Sequence, residues 1–207
     1  MINLEFLLVL PVWIGIYFVL VKSLQWSGKL ARNLISASHC VAVLLVIYIG
    51  GLEAMKPLAV PLSTAYFIWD MLYCPIFGTK KDVIKDAPYI WHHIVVLCLL
   101  YTMDQNRNLE AGLFILWVGE ISNLTSYMVY HALHVDLTKE QVKYVRWAQL
   151  IWYGYWRVYV LLTDGWAVFY ALDDRILAFA LASIWAMSMF WFTVLFRNML
   201  PKESKNK

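Results

Sequence analysis

Residues 89–101 read Tyr89-Ile-Trp-His-His-Ile-Val-Val-Leu-Cys-Leu-Leu-Tyr101. The segment is strongly apolar apart from two adjacent histidines, His92 and His93, one turn from its start. In a hydrophobic chain, such a segment is typical of a membrane helix. Because hydrocarbon offers no hydrogen bonds, imidazoles at that depth need partners inside the protein. The partners of these two histidines are therefore the first indication of function.

The composition excludes an ordinary soluble domain. Of the 207 residues, 62% are hydrophobic and only 15% are charged, whereas about a quarter of the residues in a typical soluble domain are charged. One membrane crossing takes about 20 helical residues, so the length allows about seven crossings and leaves no separate soluble domain. The three cysteines, Cys40, Cys74 and Cys98, lie in apolar segments, which argues against a disulfide framework.

Hydrophobic runs predict seven membrane helices, at 4–21, 34–52, 58–77, 89–103, 109–130, 144–163 and 176–196. The predicted fold class is therefore an all-α, polytopic membrane helix bundle. The first run lacks a basic start and a clear small-residue cleavage site. We therefore interpret it as a retained helix and not as a signal peptide.

The basic residues are distributed unevenly between the two predicted faces of the membrane. Most of the 17 lysines and arginines lie in the segments that would meet on one side, and such residues gather in cytoplasmic loops. The opposite face has Lys56, Arg107 and Arg175. We therefore predict a lumenal N-terminus and a cytoplasmic C-terminus. The small net charge of +3 hides this uneven distribution, and no nucleic-acid partner is predicted.

Polar side chains fall at membrane depth in this arrangement: His39, Asp70, His92, His93, Glu120, Asn123 and Arg157. An uncompensated charge at such depth costs at least about 2.5 kcal/mol, so we expect these residues to share one interior site. Arg157 is expected to form a buried ion pair, with Glu120 as the first candidate and Asp70 as the second. The alternative is that the polar groups only hold the helices together.

The number and position of the histidines and lysines exclude several cofactor chemistries. Five histidines are too few for a membrane di-iron desaturase or hydroxylase. The last predicted helix has neither the lysine of a retinal protein nor the histidine expected of a zinc-dependent seven-helix hydrolase. Haem held between His39 and His92 or His93 is a further alternative. We predict no cofactor and no metal.

Five short motifs lie in order along the chain. They are Arg32 through Ser38-His39, Tyr66-Phe-Ile-Trp-Asp70, Trp91-His-His93, Glu120-Ile-Ser122 and Trp156-Arg157. In this order, and on these predicted helices, they resemble the TLC-domain family of multi-spanning membrane proteins, named after translocating-chain-associating, longevity-assurance and ceroid-lipofuscinosis members. The resemblance covers most of the chain. It implies a six-helix TLC bundle with one extra helix, in the endoplasmic reticulum or a related membrane.

The resemblance also implies a division of the chain and a biological role. Residues 1–30 would form the first helix and a cytoplasmic loop, 31–200 the TLC domain, and 201–207 a cytoplasmic tail. Ceramide synthases of this family carry His-Asp-x-x-Asp where this chain has Gly119, Glu120 and Asn123. The chain is therefore more similar to the small TLC-domain-containing proteins, which are linked to membrane phospholipid composition.

We therefore expect a multi-pass membrane protein that binds a lipid or acyl chain within its helix bundle and influences membrane lipid composition. One alternative is an acyl-CoA-dependent acyltransferase, with His92 or His93 as the base or nucleophile toward an acyl thioester. Another is a non-catalytic trafficking adaptor. The sequence leaves open whether the protein is an enzyme, which lipid it takes and whether it forms oligomers.

Overall fold

The computed structural model describes residues 5–77, 80–105, 108–135, 137–170 and 174–200, and within these ranges all regular secondary structure is helical. The all-α prediction is confirmed. The α-helices are α1 (Phe6–Phe18), α2 (Gly28–Ala54), α3 (Val60–Phe77), α4 (Lys80–Asp104), α5 (Leu109–Ala132), α6 (Lys139–Tyr153), α7 (Leu161–Tyr170) and α8 (Arg175–Met199). The predicted tail, 201–207, lies outside the described residues.

Three π-helical segments extend these helices. Val19–Ser23 continues α1, Met55–Ala59 leads into α3, and Gly154–Val160 joins α6 to α7. In the described part of the chain, α6, the π-helical segment Gly154–Val160 and α7 follow one another without a break, and we call them together one rod. With every other α-helix counted as a rod of its own, the described rods number seven, as many as the hydrophobic runs. Three helices start at least five residues earlier than predicted: α2 at Gly28, α4 at Lys80 and α6 at Lys139. The reason is that a helix continues through polar turns, which a hydropathy pattern does not detect.

The surface of the bundle is apolar. Among the residues described, three helices are long and apolar enough to cross a membrane: Phe6–Ser23, Gly28–Gly51 and Arg175–Met199. Large apolar side chains also point outward, with Leu8 79%, Tyr48 80% and Ile49 80% exposed. Such a surface favours aggregation in water but is expected in contact with lipid. Both observations indicate a membrane protein.

The helices α2 and α3 form an antiparallel hairpin that turns at Gly51. Gly51 has φ 52° and ψ −142°, a combination that only glycine adopts readily. Three side-chain contacts show the register, because each joins residues equidistant in sequence from Gly51: His39 with Ser63, Ser36 with Tyr66, and Arg32 with Asp70. The turn at Gly51 therefore determines which polar residues of α2 and α3 meet.

Other helix pairs also run in opposite directions. Asn33, near the start of α2, contacts His131, near the end of α5, whereas Cys40 bonds the carbonyl of Glu120 nearer the middle of both helices. The helices α2 and α5 are therefore antiparallel. The same holds for α5 and the rod that begins with α6, where the contacts are Ser126 with Gln149 and Gly119 with Arg157.

The apolar core lies between α2, α3, α4, α5 and α8. Its fully buried side chains include Ile35, Val43, Leu99, Leu100, Met103, Ile115 and Leu177. The helices α4 and α5 approach closely at Gly112, where a Cβ atom would lie 2.4 Å from Cγ of Met103. Because Met103 is itself fully buried, its side chain has little space into which to move.

We expect Gly112→Ala to lower the free energy of unfolding by about 1–3 kcal/mol, because the added methyl group overpacks the contact with Met103. The measurement is the unfolding temperature in detergent. Gly15→Ala is the matched control, since a Cβ atom at this helical glycine would meet no atom within 4 Å. Alanine favours the helix, so this control should unfold at an equal or slightly higher temperature. Equal decreases in both variants would contradict the close contact.

Candidate functional site

Asp70 connects three helices through its carboxylate. Its Oδ1 accepts a hydrogen bond from Nε of Arg32 at 2.5 Å, and its Oδ2 accepts one from Nη2 at 3.0 Å, which is the bidentate geometry of a strong ion pair. Oδ2 also lies 2.9 Å from Nε2 of His93. The Arg32 guanidinium lies 5.0 Å from the ring centroid of Tyr73. We call Arg32, Asp70 and His93 the Asp70 cluster, which links α2, α3 and α4.

Both ring nitrogens of His93 face oxygen atoms. Nε2 faces the Asp70 carboxylate, and Nδ1 lies 2.5 Å from the backbone oxygen of Tyr89. The carboxylate and the carbonyl each occupy one nitrogen of the ring. In this arrangement neither nitrogen of His93 is open to a substrate.

His39 and Glu120 face each other between α2 and α5, and both are buried. Nδ1 of His39 lies 3.9 Å from Oε2 of Glu120, which is too long for a hydrogen bond. Nε2 of His39 is 3.1 Å from Oγ of Ser63, and the ring stacks on Tyr66 with centroids 3.9 Å apart. The His39 ring is therefore fixed on one side and faces the Glu120 carboxyl group on the other.

Arg157 is buried, with 3% of its surface exposed, but the predicted ion pair with Glu120 or Asp70 is wrong. Nε donates to Oγ of Ser122 at 2.7 Å, and Nη2 donates to the Gly119 carbonyl at 3.1 Å. In the described part of the chain, no carboxylate oxygen lies within 4.0 Å of this guanidinium. Its two hydrogen bonds go instead to neutral oxygens of α5.

Three successive carbonyls of α5 accept hydrogen bonds from side chains of other helices. Gly119 accepts from Arg157, Glu120 from Cys40 and Ile121 from Trp152. Arg157 reaches α5 from the π-helical segment Gly154–Val160, whose wider turn changes the direction of the side chains that follow. These contacts fix the middle of α5 between α2 and the rod formed by α6 and α7.

A small cavity lies between α3, α4, α5, α8 and the π-helical segment. It measures about 20 Å³, the room of about one water molecule. Nδ1 of His92 and Oε2 of Glu120, both in residues that line it, have no hydrogen-bond partner within the described residues. We call this space the polar cavity. Its polar lining is His92, Glu120, Asn123 and Arg157, and its apolar lining includes Val96, Leu99, Leu116 and Ile184.

The predicted site residues thus fall into two neighbouring groups. Four line the polar cavity: His92, Glu120, Asn123 and Arg157. Asp70 and His93 belong to the Asp70 cluster, which adjoins the cavity because the ring centroids of His92 and His93 are 5.6 Å apart. His39 does not line the cavity but contacts two residues that do: Glu120, at 3.9 Å, and Phe67, whose ring centroid lies 5.4 Å from that of His39.

Arg32 belongs to this site but not to the predicted site residues, although it begins the first of the five motifs. Its side chain, 22% exposed, is mostly buried against Asp70. A signal was present in the sequence, since Arg32 and Asp70 are equidistant from Gly51. That signal becomes readable only once Gly51 is known to be the turn.

A larger cavity, about 70 Å³, lies between α1, α3 and α4 and is lined by Phe6, Thr64, Leu97 and Tyr101, among others. Its described lining contains none of the seven predicted site residues. Among the residues that the structure describes, no group of three or more His, Cys, Asp or Glu side chains is arranged to hold a metal ion. The polar cavity is therefore the better candidate for a functional site.

No protein-family model, curated protein or solved structure matches the chain. The similarity to TLC-domain proteins rests on the five motifs alone, and membership of that family stays a prediction. The function is inferred below from the geometry of the Asp70 cluster and the polar cavity.

We expect Asp70→Asn to lower the free energy of unfolding by about 3 kcal/mol, because it removes the carboxylate that faces both Arg32 and His93. This value is at the low end for a buried pair, since Arg32 is partly exposed. The measurement is thermal unfolding in detergent. Asp164→Asn is the control: Asp164 is exposed, and its substitution should change stability by less than about 0.5 kcal/mol. If both substitutions changed the free energy of unfolding by similarly small amounts, the Asp70 cluster would contribute little to stability.

Proposed function

We propose that the chain is a multi-pass membrane protein of about seven spans that binds the polar end of a lipid or acyl chain in the polar cavity and influences membrane lipid composition. The apolar outer surface and the opposite directions of contacting helices support the membrane bundle. The uneven distribution of basic residues supports a lumenal N-terminus and a cytoplasmic C-terminus. The similarity to TLC-domain proteins supports location in the endoplasmic reticulum.

The observation that carries this proposal is the division of the cavity wall into a polar and an apolar end. Along α4, Val96 and Leu99 follow His92 by about one and two turns, and along α5, Leu116 precedes Glu120 by about one turn. Because α4 and α5 are joined end to end and pack antiparallel, these apolar residues lie on the same side of the polar ones. The wall therefore suits an amphipathic ligand.

The cavity volume limits how such a ligand enters. At about 20 Å³, the space accepts a group of the size of a water molecule. A hydroxyl or carbonyl oxygen of a ligand can make the hydrogen bonds that a water would make there. Its apolar chain requires the side chains of Leu99, Leu116 and Ile184 to move apart, so we expect the bundle to widen when the ligand binds.

Acyl transfer is the second candidate function, and one observation favours His92 for it. Nδ1 of His92 belongs to a cavity-lining residue and has no hydrogen-bond partner within the described residues, whereas both nitrogens of His93 face acceptors. A neutral imidazole with a free lone pair can take up a proton or attack an acyl thioester. Of the two histidines, His92 is therefore the reactive candidate.

Lipid binding is tested with cells fed a diazirine-bearing fatty acid, which they incorporate into many lipid classes. After irradiation, we expect lipid adducts on purified protein at cavity residues such as Val96, Leu99 and Leu116, detected by peptide mass spectrometry. Gly119→Val should lower these adducts several-fold, because its side chain would fill a cavity that holds about one water molecule. Gly15→Val is the matched control, since no atom lies within 4 Å of its Cβ position.

The distribution of adducts decides between the functions. Adducts confined to outward residues such as Leu8 and Tyr48, and equal in all variants, would mean that lipid only surrounds the protein. That result would reject the proposal and favour the trafficking adaptor.

Acyl transfer is tested by incubating the purified protein with labelled acyl-CoA. If the protein is an acyltransferase, His92→Ala should abolish transfer or a hydroxylamine-sensitive adduct while leaving the unfolding temperature within a few degrees of wild type. Asn33→Ala serves as the control, because Asn33 bonds His131 away from the cavity. Equal background turnover in wild type, His92→Ala and the control would exclude acyl transfer.

A further inference from the structure

We infer that the group bound in the polar cavity is neutral and no larger than a hydroxyl, so that the ligand is a long-chain alcohol or another hydroxyl-bearing lipid and not a fatty acid or a lysophosphatidate. The inference rests on the proposed function and adds the chemical class of the ligand. Size, hydrogen bonding and charge each support it.

Size is the first limit, and it applies at the polar end of the cavity, because the widening expected above concerns the apolar side chains Leu99, Leu116 and Ile184. The polar cavity measures about 20 Å³, which matches about one water molecule. A hydroxyl group has one heavy atom, whereas a carboxylate or phosphate group has several. An acidic head group would have to displace Glu120 or Arg157, and Arg157 is held by its hydrogen bonds to Ser122 and Gly119.

Hydrogen bonding is the second limit. Among the described lining residues, the atoms without a hydrogen-bond partner are Nδ1 of His92 and Oε2 of Glu120, and Oε2 also faces Nδ1 of His39 at 3.9 Å. A hydroxyl group donates one hydrogen bond and accepts others, so it can donate to one of these atoms and accept from Asn123 or Arg157. A carboxylate only accepts, so it cannot donate a hydrogen bond to either of these atoms.

Charge is the third limit. The charged side chains in the described lining are Arg157 and Glu120, so their formal charges cancel. In the neighbouring Asp70 cluster, the carboxylate is paired with Arg32, whose side chain is 22% exposed and so partly solvated. The lining itself therefore offers no net positive charge to an anionic head group, whereas a neutral hydroxyl group needs none.

The test uses three probes with the same hydrocarbon chain: oleyl alcohol, oleate and oleylamine. The detergent-purified full chain is incubated with each at equal concentration, and retained probe is measured by native mass spectrometry. We expect wild type to retain roughly tenfold more oleyl alcohol than oleate. A ratio of this size is expected when binding oleate leaves one buried polar group without a hydrogen bond.

Two variants change the charge of the lining with little change in shape. Glu120→Gln leaves the charge of Arg157 uncompensated, so the ratio of alcohol to oleate should fall by roughly tenfold. Asn123→Asp adds a negative charge to the lining. It should raise the ratio of retained oleylamine to retained oleate by a similar factor. Glu110→Gln is the control, because Glu110 is exposed in the first turn of α5, and its ratios should equal those of wild type.

The outcomes separate the inference from the proposed function. Retention of none of the three probes by wild type would reject lipid binding itself. Retention of oleate equal to or above that of the alcohol would overturn the inference and leave lipid binding intact. Unchanged ratios in both Glu120→Gln and Asn123→Asp would also overturn it, because the bound group would then lie elsewhere. If Glu120→Gln does not fold, as judged by size-exclusion chromatography, Asn123→Asp alone decides.

Discussion

The ion pair between Arg32 and Asp70 is the contact on which the arrangement of the interior depends. A carboxylate inside an apolar bundle is costly unless it is paired and hydrogen-bonded, and Asp70 meets that condition with one partner from α2 and one from α4. The contact with Asp70 also fixes the ring of His93. Because adjacent helical residues point about 100° apart, fixing His93 directs His92 toward the polar cavity.

A different kind of contact holds the opposite wall of the cavity. The middle of α5 receives hydrogen bonds on its backbone carbonyls from Cys40, Trp152 and Arg157. Backbone carbonyls remain available whatever side chains a helix carries, so α5 can be fixed in place while the side chains of Glu120 and Asn123 line the cavity. The side of the cavity next to the Asp70 cluster therefore depends on ionic contacts, and the α5 side depends on hydrogen bonds to neutral oxygens. As a result, Arg32 and Arg157 do not compete for the Asp70 carboxylate.

Much of this architecture could be predicted from the sequence, because hydrophobic runs identify helices and the cost of burial identifies polar residues that need partners. His39, Asp70, His92, His93 and Glu120 were selected on that basis, and all five are buried. The partner of Arg157 could not be predicted, since neutral carbonyl and hydroxyl oxygens leave no sequence pattern. The pairing of Arg32 with Asp70 and the volume of the cavity depend on the turn at Gly51 and on side-chain packing, which hydropathy does not encode.

The symmetry of the α2–α3 hairpin about Gly51 determines which kinds of mutation preserve its polar contacts. Substitutions along the hairpin affect one contact at a time, because the contacts of Arg32, Ser36 and His39 are separate. A single-residue insertion or deletion between Gly51 and Ser63 would instead rotate every later residue of α3 by about 100°. All three contacts would be lost together. The length of this segment should therefore stay constant among homologous chains even where its residues change.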